Sequence, residues 1–274
     1  MIATEEKTAR LADAGELDII KTFECGQCFR WNADGDGVYT GVAFGAAAKL
    51  RTENGAVCID ADDMTPWRDY FDLDRDYDAV SRDFLGISEY MDECVKFGRG
   101  IRILRQDRWE ALCSFIISQC NNIPRIKGIV ERLCREFGEP LWFRGELLYS
   151  FPSAQTLARL TPEALAPLRC GYRAPYIIDA ARLVAEGELD LDALAACGCD
   201  QSLKALKGIN GVGDKVANCA NLFGLGHLEA FPIDVWMKRA LKEHFPPDFD
   251  PGVFGANAGL AQQYIFYYAR SGGE

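Results

Sequence analysis

No apolar run in this chain of 274 residues approaches the roughly 18 that a membrane-spanning helix needs. The opening residues, MIATEEKTARLADAG, lack the apolar core of a secretory signal. The 11 cysteines are odd in number and scattered, and without an export signal they read as reduced thiols in the cytoplasm. Long linkers, internal repeats and low-complexity stretches are also missing. What remains is an ordinary globular composition, 49% hydrophobic and 26% charged, with ample material for a core.

Positive net charge is missing too. The formal charge is −11, which looks wrong for a partner of nucleic acid. Its distribution softens the objection. Residues 1–100 carry 11 Lys and Arg against 21 Asp and Glu, with eight aspartates from Asp60 to Asp78, whereas residues 101–274 carry 19 against 20. The second part is near neutral and can still present a basic face.

Short, partly alternating segments between residues 15 and 60 read as strands: LDIIKTFECGQCFRW, GVYTGVAFG, AAAKLRT and AVCID, separated by Asp/Gly turns. From Pro66 the pattern turns helical. DRWEALCSFIISQC is a long, nearly all-apolar helix, and IPRIKGIVERLCREFG opens with a proline and stops at Gly138. LTPEALAPL offers Thr161 as N-cap, Pro162 at the first helical position and Glu163 in the first turn. The expected fold class is α+β: residues 1–100 form a small antiparallel sheet domain with short helices, and residues 101–274 a larger, all-helical one.

CGQC, at Cys25–Cys28, could be a redox dithiol or half a zinc site. A redox pair opens a helix near a βαβ unit, and a zinc ion needs two further ligands that no second C-x-x-C or suitable Cys/His pair supplies. An iron–sulfur cluster needs four clustered cysteines, and none follows Cys219. Cys25 and Cys28 are therefore expected as strand cysteines without metal.

GINGVGDKVANC, residues 208–219, packs three glycines ahead of Lys215. It is no P-loop, because Asp214 stands where that motif needs lysine. With DQSLKALKG before it and DKVANCANLFGL after it, the stretch reads as a helix–hairpin–helix over about residues 200–224. Gly211 and Gly213 allow a sharp turn, and amides at the following helix start, Val216 among them, favour an anion such as a DNA phosphate. Lys215 and Cys219 share one helix face. A cation in a first turn opposes the macrodipole, which favours the neutral, nucleophilic amine; a solvated surface lysine is the plain alternative. Asp234, nineteen residues after Lys215 in FPID, is a good N-cap, and a rigid, ionised carboxylate there could also stabilise a cationic transition state.

Together these features resemble the helix–hairpin–helix superfamily of DNA base-excision glycosylases, in its lysine-bearing bifunctional branch. GQCFRW, LRQDRWEALCSFIISQCNNIPRIKGIVERLCREFG, CGYRAPYI, GVGDKVANC, FPIDVWM and AQQYIFYYAR stand in the order of the 8-oxoguanine DNA glycosylases. The resemblance implies an enzyme acting as a monomer on double-stranded DNA that holds 8-oxoguanine opposite cytosine, with no cofactor. Lys215 would attack C1′, and Asp234 would stabilise the oxocarbenium-like transition state. The Gly26 carbonyl would accept the N7 hydrogen that guanine lacks, Cys219 and Phe266 would sandwich the flipped base, and Gln262 would bond its pairing edge. Arg125 and Arg173 would read the orphaned cytosine, Tyr172 would wedge the kinked step, and Asn122 would lie beside them. A monovalent or calcium cation is implied at the carbonyls of Lys207, Ile209 and Val212.

Two positions depart from the family pattern. Cys120 replaces the first of three asparagines, at the residue that fills the gap left by the base, and Trp236 replaces a phosphate-contacting histidine. Two other functions fit parts of the pattern: a glycosylase of the same fold for an alkylated base, working with aspartate and water, and a non-catalytic DNA-binding protein.

Overall fold

The computed structural model describes residues 8–272. Period-2 alternation builds the first layer. β1 (Thr8–Asp13), β2 (Asn32–Ala33), β3 (Tyr39–Ala43), β4 (Ala46–Glu53) and β5 (Ala56–Ala61) form an antiparallel sheet in the order β1-β5-β4-β3-β2. Every second residue of β5 is buried, as one-sided packing requires. Phe23 stacks on Trp31 at 4.5 Å and, with Leu50, Ile59, Trp67 and Phe71, fills the space beneath the sheet.

The stretch LDIIKTFECGQCFRW is not the expected strand. Asp18 accepts a hydrogen bond from the amide of Lys21 and starts α1 (Ile19–Glu24), so a side-chain cap overrides β-branched propensity. Cys25 terminates that helix, and CGQC follows as a bend with both cysteines buried and free. Burial pushes the Cys25 thiol up to about 12, which makes it a core thiol rather than a reactive one.

The helical part comprises α2 (Thr65–Tyr70), α3 (Tyr77–Arg82), α4 (Glu89–Gly98), α5 (Arg108–Ile117), α6 (Ile123–Phe137), α7 (Ala154–Ala158), α8 (Ala174–Ala185), α9 (Leu191–Ala196), α10 (Cys199–Leu206), α11 (Asp214–Ala220), α12 (Val235–His244) and α13 (Ala258–Ser271). Trp109 through Ile117 are all buried, so α5 forms a central helix against which α6, α8 and α11 pack. LTPEALAPL is a 3-10 turn, Pro162–Leu168, because Pro167 within it has no N–H to continue an α-helix.

The helical part is not all-helical. β6 (Pro140–Phe143) and β7 (Glu146–Tyr149) form a hairpin whose tip docks on the first sheet. Arg144 there binds Asp60 at 2.6 Å and Asp62 at 2.7 Å, and Lys49 binds Glu146 at 2.6 Å. Much of the aspartate run is used up this way: Asp72 pairs with Arg75 and Arg105, Asp78 with Arg99, and Asp76 caps α3.

Glu110 is 9% exposed and lies 3.7 Å from Arg30. Burial pushes its carboxyl up to about 7, with Arg30 opposing. The folded state thus holds this proton more tightly than the unfolded chain. The group's contribution to stability is greatest below about 4.5 and falls as pH rises to about 7, by an upper bound of about 3 kcal/mol. Glu110→Gln removes that slope. Its melting temperature relative to wild type should rise by several degrees from pH 5 to pH 8 in thermal scans.

Candidate active site

α10 and α11 are joined by a hairpin over residues 207–213, and Gly211 makes the turn possible. Its φ is +77°, and a Cβ there would lie 2.4 Å from the Tyr176 ring, so glycine is required twice over. Gly213 caps α11 without a side chain, which leaves the first amides of the helix, through Val216, without intrahelical or side-chain acceptors. Lys207 bridges the hairpin to Asp214 at 2.5 Å. Of the carbonyls considered for a cation, that of Ile209 already accepts the Val212 amide at 3.1 Å.

Lys215 turns inward. Its Nζ donates to Ser118 Oγ at 2.9 Å and stands 5.4 Å from the centroid of the Phe115 ring. Ser118 in turn donates to the Phe115 carbonyl at 2.8 Å, which directs its lone pairs at the lysine. Asp234 accepts the Met237 amide at 2.9 Å and caps α12. Cys219 is 4% exposed, and burial raises its thiol pKa against the opposing pull of Lys215, so it offers a neutral sulfur surface.

One cavity collects these groups. Its lining includes Gly26, Lys215, Cys219, Asp234, Gln262 and Phe266, together with Phe115, Phe223, Pro232 and Gln263. The open volume is about 50 Å3, enough for a few waters and too little for a purine. The reason is a close approach: a Cβ on Gly26, whose φ is +79°, would lie 3.3 Å from the Phe266 ring. Gln27 fixes this bend from behind, donating to the carbonyls of Thr22 at 3.0 Å and Arg102 at 2.7 Å and accepting the Leu104 amide at 2.9 Å. Larger hollows exist, such as one of about 450 Å3 beside Tyr90, Arg239 and the 38%-exposed Trp236, but they contain neither Lys215 nor Asp234.

A second group of expected residues gathers at the turn between α5 and α6. Cys120 is exposed and left-handed, with φ +46°, a conformation that suits asparagine better than cysteine. Asn122 caps α6 by accepting the Arg125 amide at 3.0 Å. Arg125 and Tyr172 are exposed. Arg173 is only 2% exposed, its guanidinium spent on the carbonyls of Gln119, Cys120 and Cys170. It braces the turn that holds Cys120, and in this arrangement it does not face solvent.

Sequence reasoning missed Ser118, Gln27 and Gln263. A lone serine and a lone glutamine inside apolar or sulfur-rich stretches were the available signals. It also missed a Cys/His pair. Cys199, His227 and Glu229 place ligand atoms within 4.8 Å of one another. A tetrahedral zinc would hold them about 3.5 Å apart. Cys199 Sγ already accepts from Asn221, and His227 Nε2 is bonded to the Leu194 carbonyl at 2.9 Å. None of the three lines the cavity that holds Lys215 and Asp234.

A small antiparallel sheet beside a helix–hairpin–helix bundle, with lysine and aspartate in one cavity, defines the architecture of a DNA-repair glycosylase. The chain belongs to the HhH-GPD superfamily of base excision DNA repair proteins: that family's profile matches residues 113–252, and the 8-oxoguanine DNA glycosylase N-terminal domain matches residues 11–112. MBOgg1, solved with a low affinity DNA ligand, is 41% identical with a TM-score of 0.90, covering 98% of both chains. The Clostridium acetobutylicum 8-oxoguanine glycosylase/lyase, solved with double-stranded DNA holding cytosine opposite 8-oxoG, is 34% identical with a TM-score of 0.90, again covering 98% of both. A probable N-glycosylase/DNA lyase of Methanothermobacter thermautotrophicus is 31% identical over 204 residues, which cover 64% of this chain and 65% of that protein. Among the described residues no helix is long and apolar enough to cross a membrane.

Gly211→Ala should unfold at lower denaturant, by about 2–4 kcal/mol, since strain and a ring clash add. Gly213→Ala, where a Cβ meets nothing within 4 Å, should cost well under half as much in the same titration.

Proposed function

We propose that this chain excises 8-oxoguanine from duplex DNA and nicks the strand at the resulting site. The observation that carries the reading is the cavity in which Lys215, Asp234, Gly26, Cys219, Gln262 and Phe266 meet. The similarity to an 8-oxoguanine glycosylase/lyase over 98% of the chain supports it. The base enters when Phe266, which is only half-buried, swings off Gly26 and stacks against it from one side, with Cys219 on the other. The Gly26 carbonyl then meets N7–H of the oxidised base, whereas guanine would bring a lone pair to the same oxygen.

Lys215, unprotonated, attacks C1′. The C–N bond to lysine forms as the bond from C1′ to the base breaks, and the base leaves with the electron pair and takes up a proton. Asp234 offsets the positive charge that builds on the sugar. The lysine nitrogen, having given up a proton, then expels O4′: the C1′–O4′ bond breaks, O4′ takes up a proton from water and the sugar ring opens to an iminium. Loss of a proton from C2′ forms the C2′–C3′ double bond and expels the 3′ phosphate with the C3′–O electron pair. Ser118 orients the amine before attack. Gly211, Gly213 and the Val216 amide hold a backbone phosphate, and Tyr172, Cys120, Asn122 and Arg125 face the vacated step. No cofactor enters these steps; a cation on the hairpin carbonyls of Lys207, Ile209 and Val212 would be structural, and an iron–sulfur cluster has no place in the scheme. Lys215 in the cavity also favours this reading over an alkylpurine glycosylase working through aspartate and water, and over a non-catalytic DNA binder.

Borohydride should trap the wild-type protein covalently on DNA holding 8-oxoguanine opposite cytosine, and Lys215→Gln should give no trapped band; trapping by that variant sinks the mechanism. The same duplex with each of the four bases opposite the lesion measures what Cys120 does to selectivity. Asp234→Asn keeps a good N-cap and should melt within about 0.5 kcal/mol of wild type. Its single-turnover excision should nonetheless fall by at least about a hundredfold.

A further inference from the structure

Cys199, His227 and Glu229 form a cluster that the mechanism above does not use. Cys199 opens α10, and the other two lie in the loop that leads to Asp234. His227 is buried, at 7% exposure, and its Nε2 is bonded to the Leu194 carbonyl at 2.9 Å. A carbonyl only accepts, so Nε2 carries the hydrogen and the neutral ring keeps its lone pair on Nδ1. Nδ1 stands 3.9 Å from Glu229 Oε1. Two electron-pair donors thus face each other, and a cation between them removes the conflict.

A proton on Nδ1 is the simplest such cation, and Cys199 argues for a larger one. Ligand atoms of all three residues lie within 4.8 Å of one another, and a sulfur has no part in a proton shared by histidine and glutamate. Asn221 donates to Cys199 Sγ at 3.5 Å, as outer groups do to a metal-bound thiolate, and the Leu194 carbonyl on Nε2 orients the imidazole in the same way. The spacing is wider than the roughly 3.5 Å between ligands of a tetrahedral metal. Glu229 is 48% exposed, so its carboxylate is free to rotate inward. A hollow of about 520 Å3 lined by Cys199, Asn218 and Glu229 gives an entry path and room for water as a further ligand.

We propose that Cys199 Sγ, His227 Nδ1 and the Glu229 carboxylate bind a zinc-class divalent cation, with water in the fourth position. The ion pins the start of α10 to the loop that delivers Asp234. On binding, the S–H bond of Cys199 breaks, its electron pair forms the metal–sulfur bond, and the proton goes to water. One thiolate, one imidazole and one carboxylate suit zinc or cobalt(II) better than magnesium or calcium, which take oxygen ligands. The ion acts as a clip and takes no part in the chemistry at Lys215.

The test titrates chelator-stripped wild type, Cys199→Ser and Glu229→Gln with zinc, cobalt(II) and magnesium. Wild type should bind a single equivalent of cobalt(II) with a thiolate-to-metal charge-transfer band. Free zinc at a hundredfold excess over its dissociation constant should raise the melting temperature by about 5 °C, and magnesium should not. Cys199→Ser should lose the band and the shift. Glu229→Gln, altered only at a half-exposed side chain, should melt like wild type without metal and bind zinc at least about tenfold more weakly. No binding by wild type would overturn the proposal. So would a band and shift that persist in Cys199→Ser, which would place the metal on others of the 11 cysteines. Should Cys199→Ser fail to fold, Glu229→Gln decides alone, and unchanged affinity there overturns the site.

Discussion

The contact between the Lys215 amine and the end of α5 governs the site. Lys215 opens α11, where the helix dipole disfavours a positive charge. It also meets the C-terminal end of α5 through Ser118 and lies beside the Phe115 ring, where a second dipole and the ring face favour that charge. The two helices pull in opposite directions on the same nitrogen. Its position is therefore set by packing between α5 and α11, and α5 is fixed because it is buried on every side. From that fixed point the rest of the cavity follows: Cys219 one turn along α11, the Phe115 wall, and α13 closing the far side with Gln262 and Phe266.

This also explains which parts were legible in the sequence. GINGVGDK could be read because its glycines, helix start and lysine are contiguous, and each carries its reason locally. Asp234 was legible for the same cause, as a cap whose helix follows it directly. Ser118 could not be read, since nothing in FIISQC says that a lysine 97 residues later will reach it. The β6/β7 hairpin was missed because PLWFRGELLY gains its stability at a distance, from Arg144 on Asp60 and Asp62. CGQC was misjudged because one capping aspartate outweighed a run of β-favouring residues. The roles given to Arg125, Tyr172 and Arg173 came from resemblance alone, and the buried, carbonyl-bound Arg173 shows how much such a role depends on the loop around it.

The acidic surplus looks different once placed. Asp60, Asp62, Asp72 and Asp78 neutralise Arg75, Arg99, Arg105 and, on the docking hairpin, Arg144, and Asp18, Asp76, Asp107, Asp190 and Asp234 cap helices. Charge spent in such local pairs projects little field beyond a Debye length of about 10 Å. Net charge was thus a poor guide to the partner. The informative quantity is what stays unpaired at the hairpin and at the turn carrying Cys120.

The cavity itself shows an economy of a different kind. Closed over Gly26, Phe266 leaves only about 50 Å3 beside Lys215 and Asp234. On the proposed reading that ring must leave its place before a purine can stack there, so part of the binding energy is spent on opening the cavity. The Gly26 carbonyl then meets either the N7–H of the oxidised base or the lone pair of guanine. Discrimination on this reading rests on the second case, because an unmet acceptor costs more than a satisfied one gains.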